Sequence, residues 1–272
     1  MWSIYDLQLL PISFLVLAIL SIALHFVLKN KALKLRLIPF KLIAVFIVVI
    51  ETGKQIRGIT YAGGYNNIWL PFHVCSIFIF SFPLAVFLKQ GSKGANIFWA
   101  LSFINSFMVT VSTLIVPSLI MGEQIRRVLT GTSTLLFMDI HSIAYHLAAI
   151  LFLMFIIALK PIKMESFSLR RKNNGTSFEN NAPERKNNYS SISGYQTVVA
   201  VIIFMSFVAL AWIMAIILQR NFSAFRLIGN TIGIQSVIFV LYLIAVVVSA
   251  AILMYVPKLF KKICLRKVNP KP

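Results

Sequence analysis

The sequence predicts an all-α polytopic membrane protein with seven transmembrane helices. Its 272 residues are 59% hydrophobic and 12% charged, and the mean hydropathy is +0.86, which is too apolar for a water-soluble globular domain. Several apolar runs reach the roughly 20 residues that a helix needs to cross a bilayer. Each run is expected to be helical, because lipid offers no hydrogen-bond partners to an unpaired backbone.

Seven runs have this length, and together they form one domain over residues 1–272. In chain order they cover about 8–28, 38–56, 69–88, 96–118, 133–159, 196–219 and 232–256. A polar segment at about 160–195, rich in Asn, Ser, Lys and Arg, is expected to be a flexible loop between the fifth and sixth spans. A basic tail at 257–272 follows the seventh.

The net charge of +19 is distributed unevenly among the loops. Lys and Arg concentrate in alternate segments, namely 29–36, 89–93, 160–186 and the tail, while the opposite loops carry few. The positive-inside rule therefore places the N-terminus outside and the C-terminus in the cytoplasm of a multi-pass protein of the cell membrane. This pattern argues against nucleic acid as a partner, and it makes anionic lipid headgroups the expected contacts of the basic loops.

Polar residues within the predicted spans gather toward the outer ends. Ionisable groups at membrane depth are costly and usually face a bundle interior or a wet cavity. A cavity that opens outward is therefore expected. The residues concerned are Glu51 and Lys54 on the second span, His73 and Cys75 on the third, Asp139, His141, Ser142 and His146 on the fifth, and Gln235 on the seventh.

Helical geometry limits which of these residues work together. His73 and Cys75 would lie about 200° apart on a regular helix, so Cys75 needs a base from another helix. Asp139, Ser142 and His146 form one stripe, and His141 matches the predicted depth of Cys75 better than His146 does. Asp139 is expected to orient a neighbouring imidazole. Glu51 and Lys54 have the i,i+3 spacing of an ion pair.

The polar residues stand in a pattern that resembles the YwaF-type integral membrane proteins. The matching segments are Glu51-Thr-Gly-Lys, Trp69-Leu-Pro-Phe-His-Val-Cys-Ser and Asp139-Ile-His-Ser-Ile-Ala-Tyr-His, in order over about 40–256. Phe72 and Val74 stand where the family signature has leucines. The family includes a eukaryotic transmembrane acyltransferase that remodels ether phospholipids. The resemblance assigns the cysteine role to Cys75 and the histidine role to His73, His141 or His146.

The expected function is therefore a phospholipid acyltransferase that needs no cofactor. Cys75 would carry the acyl chain from a membrane phospholipid as a thioester, a histidine would accept the proton, and the acceptor would be a lysophospholipid. Ser142 would help to bind the oxyanion. Two alternatives stay open: a metal-dependent lipid hydrolase, with three histidines and Asp139 as ligands, and a non-enzymatic receptor or transporter.

Overall fold

A computed structural model describes residues 4–60, 73, 76–115, 123–133, 136–164, 190–217, 240–241, 243–252 and 254–255. The helices are α1 (Ile4–Leu28), α2 (Leu33–Arg36), α3 (Ile38–Ile59), α4 (Ile77–Phe87), α5 (Lys93–Ile115), α6 (Glu123–Leu129), α7 (Leu136–Leu159), α8 (Gly194–Ile217) and α9 (Leu243–Ile252). The prediction of a mainly helical chain is confirmed for these residues.

Four of the described helices are long and apolar enough to cross a membrane: Leu10–Leu28, Lys93–Ile115, Leu136–Leu159 and Gly194–Met214. They match the first, fourth, fifth and sixth predicted spans. Helix α3 matches the second span in position and is 22 residues long, but it also carries charged side chains, including Glu51 and Lys54. The count of seven spans and the orientation of the termini stay predictions.

The third predicted span is not one continuous helix. His73 lies in a bend, and its carbonyl accepts a hydrogen bond from the Ser76 N–H at 2.8 Å. Helix α4 begins only at Ile77 and has 11 residues, about 16 Å or half of the hydrocarbon core. The inference that His73 and Cys75 lie on opposite faces assumed one regular helix through this segment. That assumption is wrong, because His73 lies in a bend. Apolar side chains alone do not reveal where regular backbone begins.

Aromatic rings hold the centre of the bundle and set its register. Phe152 of α7 packs edge-on against Phe82 of α4, with ring centroids 4.6 Å apart, and stacks on Trp99 of α5 at 5.8 Å. Phe40 of α3 contacts the same two rings, Trp99 at 5.4 Å and Phe152 at 5.9 Å. All four side chains are buried. Phe78, one turn before Phe82, completes this aromatic core.

These contacts show that α3 and α5 run antiparallel to α4 and α7. Phe40 meets Phe152 near one end of α3, and Glu51 meets His141 near the other. We call the end of the bundle that holds Glu51 and His141 the polar end, and the end where α7 stops at Leu159 the basic end.

The basic end contains a short β pairing that the sequence analysis missed. Strand β1 (Ile162–Met164) pairs in parallel with β2 (Ser190–Ile192), so the prediction of an irregular loop over 160–195 is wrong at both of its ends. A parallel pair needs a connection of a dozen or more residues, and 165–189, which lies outside the described residues, supplies that length. Buried Arg36 donates to the Leu159 carbonyl at 3.1 Å, where α7 ends.

Candidate functional site

Glu51 is a buried carboxylate at the polar end with three side-chain partners. Only 8% of the residue is exposed. Its Oε1 accepts hydrogen bonds from Lys54 Nζ at 2.6 Å and from Gln55 Nε2 at 2.7 Å, and its Oε2 lies 3.0 Å from His141 Nε2. Because a carboxylate only accepts, His141 donates here. The predicted Glu51–Lys54 pair is thus observed, and the Glu51–His141 bond joins α3 to α7.

His146 lies deeper in the bundle, against the aromatic core. Its Nδ1 is 2.7 Å from the carbonyl oxygen of Ser142 on its own helix. Because a carbonyl only accepts, Nδ1 carries the proton, and Nε2 is the basic nitrogen of the neutral ring. Tyr145 packs edge-on against this ring at 5.6 Å. The His146 residue is 9% exposed, and it lies within electrostatic range of both His73 and His141.

The helix register places His146 at the level of the α4 start. Phe78 contacts both Tyr145, at 6.1 Å, and Phe152, at 5.2 Å, so its level on the parallel helix α7 is midway between them. Ser76, two residues earlier, is then about 3 Å closer to the polar end, beside His146.

His141, five residues before His146, lies about 7.5 Å closer to the polar end. The expectation that His141 matches Cys75 in depth stays a prediction, because Cys75 lies outside the described residues, although its chain neighbour Ser76 is level with His146. That expectation measured depth from the ends of the predicted spans. Helix α4 begins well after its predicted start, whereas α7 begins close to its own.

Asp139 does not orient an imidazole in the described contacts. Its carboxylate forms a two-pronged ion pair with the Arg127 guanidinium of α6 and accepts a hydrogen bond from Ser133 Oγ at 2.8 Å. The expectation for Asp139 is therefore wrong, and Glu51 holds the histidine instead. The prediction used only the spacing of residues along α7. It could not include Arg127, because α6 is a short helix that the hydropathy pattern does not predict.

Two predicted site residues, Cys75 and Gln235, lie outside the described residues. Ser142 is half-buried and contributes its backbone carbonyl to His146, while the predicted oxyanion role of its hydroxyl stays a prediction. Among the described residues, no group of three or more His, Cys, Asp and Glu side chains is arranged to hold a metal ion.

Sequence reasoning left two further polar side chains at this end of the bundle out of the candidate site. Gln55 follows Glu51 at i+4, a spacing that identifies a neighbour on the same helix face. Ser106 lies on α5, four residues after Ser102 and directly after the buried Asn105. Its helical spacing from Ser102 is the signal that would have found it. Comparisons of the chain with protein-family models, curated proteins and solved structures found no match.

Proposed function

We propose that this chain is a membrane-embedded acyltransferase that remodels phospholipids through a thioester on Cys75. The resemblance to YwaF-type proteins motivates the reaction. The observation that carries the assignment is His146, a buried imidazole whose Nδ1 is held by the Ser142 carbonyl at 2.7 Å, so that the opposite nitrogen is the base. The level of His146 beside Ser76 supports its pairing with Cys75, the residue that precedes Ser76 in the chain.

In the first half-reaction, His146 Nε2 takes the proton of the Cys75 thiol, and the thiolate attacks the ester carbonyl carbon of a phospholipid. The tetrahedral oxyanion collapses and the ester C–O bond breaks. The leaving alkoxide takes the proton back from the imidazolium and departs as a lysophospholipid. In the second half-reaction, an acceptor lysophospholipid hydroxyl gives its proton to His146 and attacks the thioester carbonyl carbon. The C–S bond breaks, and the imidazolium returns the proton to the Cys75 thiolate.

Glu51, Lys54 and His141 act around this pair as supporting residues. The Glu51–His141 bond holds α3 against α7 at the polar end, one to two turns above His146. Lys54 compensates the charge of Glu51. His73 is proposed to contribute to the wall of the site, because it lies within electrostatic range of His146.

Acyl exchange in reconstituted vesicles tests the proposal. The vesicles contain a phospholipid with a labelled acyl chain and an unlabelled lysophospholipid acceptor, and transfer of label is followed over time. Cys75→Ala should abolish transfer, whereas the matched control Cys264→Ala should leave it unchanged. His146→Ala should lower the rate by about 10²–10⁴-fold, and His25→Gln, at the basic end, should not. Undiminished transfer by Cys75→Ala would contradict the mechanism.

A further inference from the structure

A buried hydroxyl on α5 makes no hydrogen bond to the residues that the structure describes. Ser106 is 0% exposed, and its Oγ has no hydrogen-bond partner within the part of the chain that the structure describes. An unpaired buried hydroxyl is unfavourable, because it has given up its hydrogen bonds to water without gaining others. Ser102, one turn away, shows the usual solution, because its hydroxyl donates to Ser81 Oγ of α4 at 2.9 Å. Ser106 therefore has the character of a group that awaits a ligand.

Helical spacing shows which part of α4 Ser106 faces. Residues four apart share a face of a helix, so Ser106 points from α5 toward α4, as Ser102 does. It lies about 6 Å closer to the polar end than Ser102. Because α4 and α5 run antiparallel, the position opposite Ser106 is one turn before Ser81, at Ile77 and Ser76. This is the start of α4.

The first turn of α4 adds donors at the same place. The Ser76 N–H already donates to the His73 carbonyl, so the amides concerned are those that follow it, from Ile77 on. The first N–H groups of a helix point out along its axis, and the helix dipole adds partial positive charge there. A helix N-terminus at membrane depth therefore attracts developing negative charge. Ser76 is buried, so this end of α4 lies inside the bundle, where water does not weaken such an interaction.

We propose that the Ser106 hydroxyl, with the amide groups at the start of α4, forms the oxyanion site of the acyl transfer. This inference rests on the proposed function. Ser106 donates a hydrogen bond to the acyl carbonyl oxygen of the phospholipid. When the Cys75 sulfur bonds to the carbonyl carbon, the C=O π electrons move to that oxygen, and the hydrogen bond to Ser106 strengthens. Ser106 keeps its proton throughout.

Kinetics of Ser106→Ala in the labelled vesicle assay test this role. Loss of one oxyanion donor should lower kcat on the order of 10²–10³-fold, with KM little changed, because the interaction strengthens in the transition state. The matched control is Ser102→Ala, which removes a hydroxyl from the same face of α5 and should leave kcat within a few-fold. Ser106→Thr, which keeps a hydroxyl, should recover most of the rate.

The thermal unfolding of each variant separates catalysis from folding. Ser106→Ala removes an unpaired buried hydroxyl, so it should unfold at the same temperature as the parent protein or higher, while a structural role would lower that temperature. A kcat for Ser106→Ala equal to that of the parent would overturn the oxyanion assignment and leave the acyltransferase proposal standing. Absence of transfer by the parent protein itself would overturn both.

Discussion

A carboxylate buried between apolar helices needs neighbours that compensate its charge, and Glu51 has three. Lys54 and Gln55 occupy one oxygen, and His141 of α7 occupies the other. Two of these partners come from the same helix and would exist in α3 alone. The third exists only when α3 and α7 pack together, so the Glu51–His141 bond forms only in the correctly assembled site.

Replacement of Glu51 by alanine should destabilise the protein strongly. It leaves the Lys54 ammonium buried without its counter-ion, and loss of one member of a buried pair costs about 3–5 kcal/mol. The free energy of unfolding in mixed micelles measures the effect. Arg57→Ala, an exposed change on the same helix, should cost much less. The double variant Glu51→Ala/Lys54→Ala should recover part of the loss, and equal stability of Glu51→Ala and Arg57→Ala would contradict this account.

Helix α4 is held at its end by a polar side chain outside its own sequence. It is short and contains Pro83, which cannot donate a backbone hydrogen bond. Its last turn is held by Gln90, whose Nε2 donates to the carbonyls of Ala85 at 2.9 Å and Val86 at 3.1 Å. The Oε1 of Gln90 accepts from Trp99 Nε1 at 3.0 Å. The side-chain amide of Gln90 thus bonds to the last turn of α4 and links it to Trp99 of α5.

Gln90→Leu should loosen the junction between α4 and α5. The buried Trp99 indole N–H would lose its acceptor, and an unpaired buried donor costs about 1–3 kcal/mol. Hydrogen exchange should then accelerate at the amides of the last turn of α4 and the first turns of α5. The exposed neighbour Lys89 supplies the control, since Lys89→Ala removes no contact of this kind. Unchanged exchange at both helices in Gln90→Leu would rule out the anchoring role.

The whole molecule has a charge asymmetry along the bundle. Exposed lysines that include Lys29, Lys34, Lys93 and Lys160 lie at the basic end. The buried acids Glu51 and Asp139 lie at the polar end. The positive-inside rule therefore predicts that the polar end, with the candidate site, lies at the outer leaflet. An odd number of spans would put the N-terminus on that side and the C-terminus in the cytoplasm.

Thiol labelling of intact cells tests this orientation. In a Cys75→Ala background, native Cys264 should react with a membrane-impermeant maleimide only after the membrane is permeabilised. In a background without either cysteine, Thr130→Cys, just after α6, should react from outside, because Thr130 is exposed at the polar end. Reaction of Cys264 in sealed cells would contradict the predicted topology.

The spans were predictable because membrane helices need long apolar runs, and α1, α5, α7 and α8 match their predicted ranges closely. The start of α4 was not predictable in the same way. His73 and Ser76 sit within a run whose hydropathy suits a helix, and only tertiary packing shows that the backbone there is irregular. Short elements such as α6 and the β1–β2 pair carry too few residues for a periodic signal.

The candidate site was predictable as a layer but not as a set of partners. Intramembrane polar residues had to face inward, which brought Glu51, His141 and His146 to one end of the bundle. Which carboxylate meets which histidine depends on helix rotation and register, and these are set by the rings around Phe152. For that reason the sequence analysis assigned Asp139 as the carboxylate that orients a histidine, whereas Glu51 has this role in the structure. The sequence analysis also left out Ser106.

The most direct test of the central claim is the intact mass of the purified protein after incubation with phospholipid vesicles and no acceptor. The acyltransferase account predicts a mass increase of one acyl chain, located on Cys75 by peptide mapping and removed by neutral hydroxylamine, as a thioester is. Cys264→Ala should show the same adduct, and Cys75→Ala should show none. Acyl transfer without any adduct on Cys75 would contradict the account.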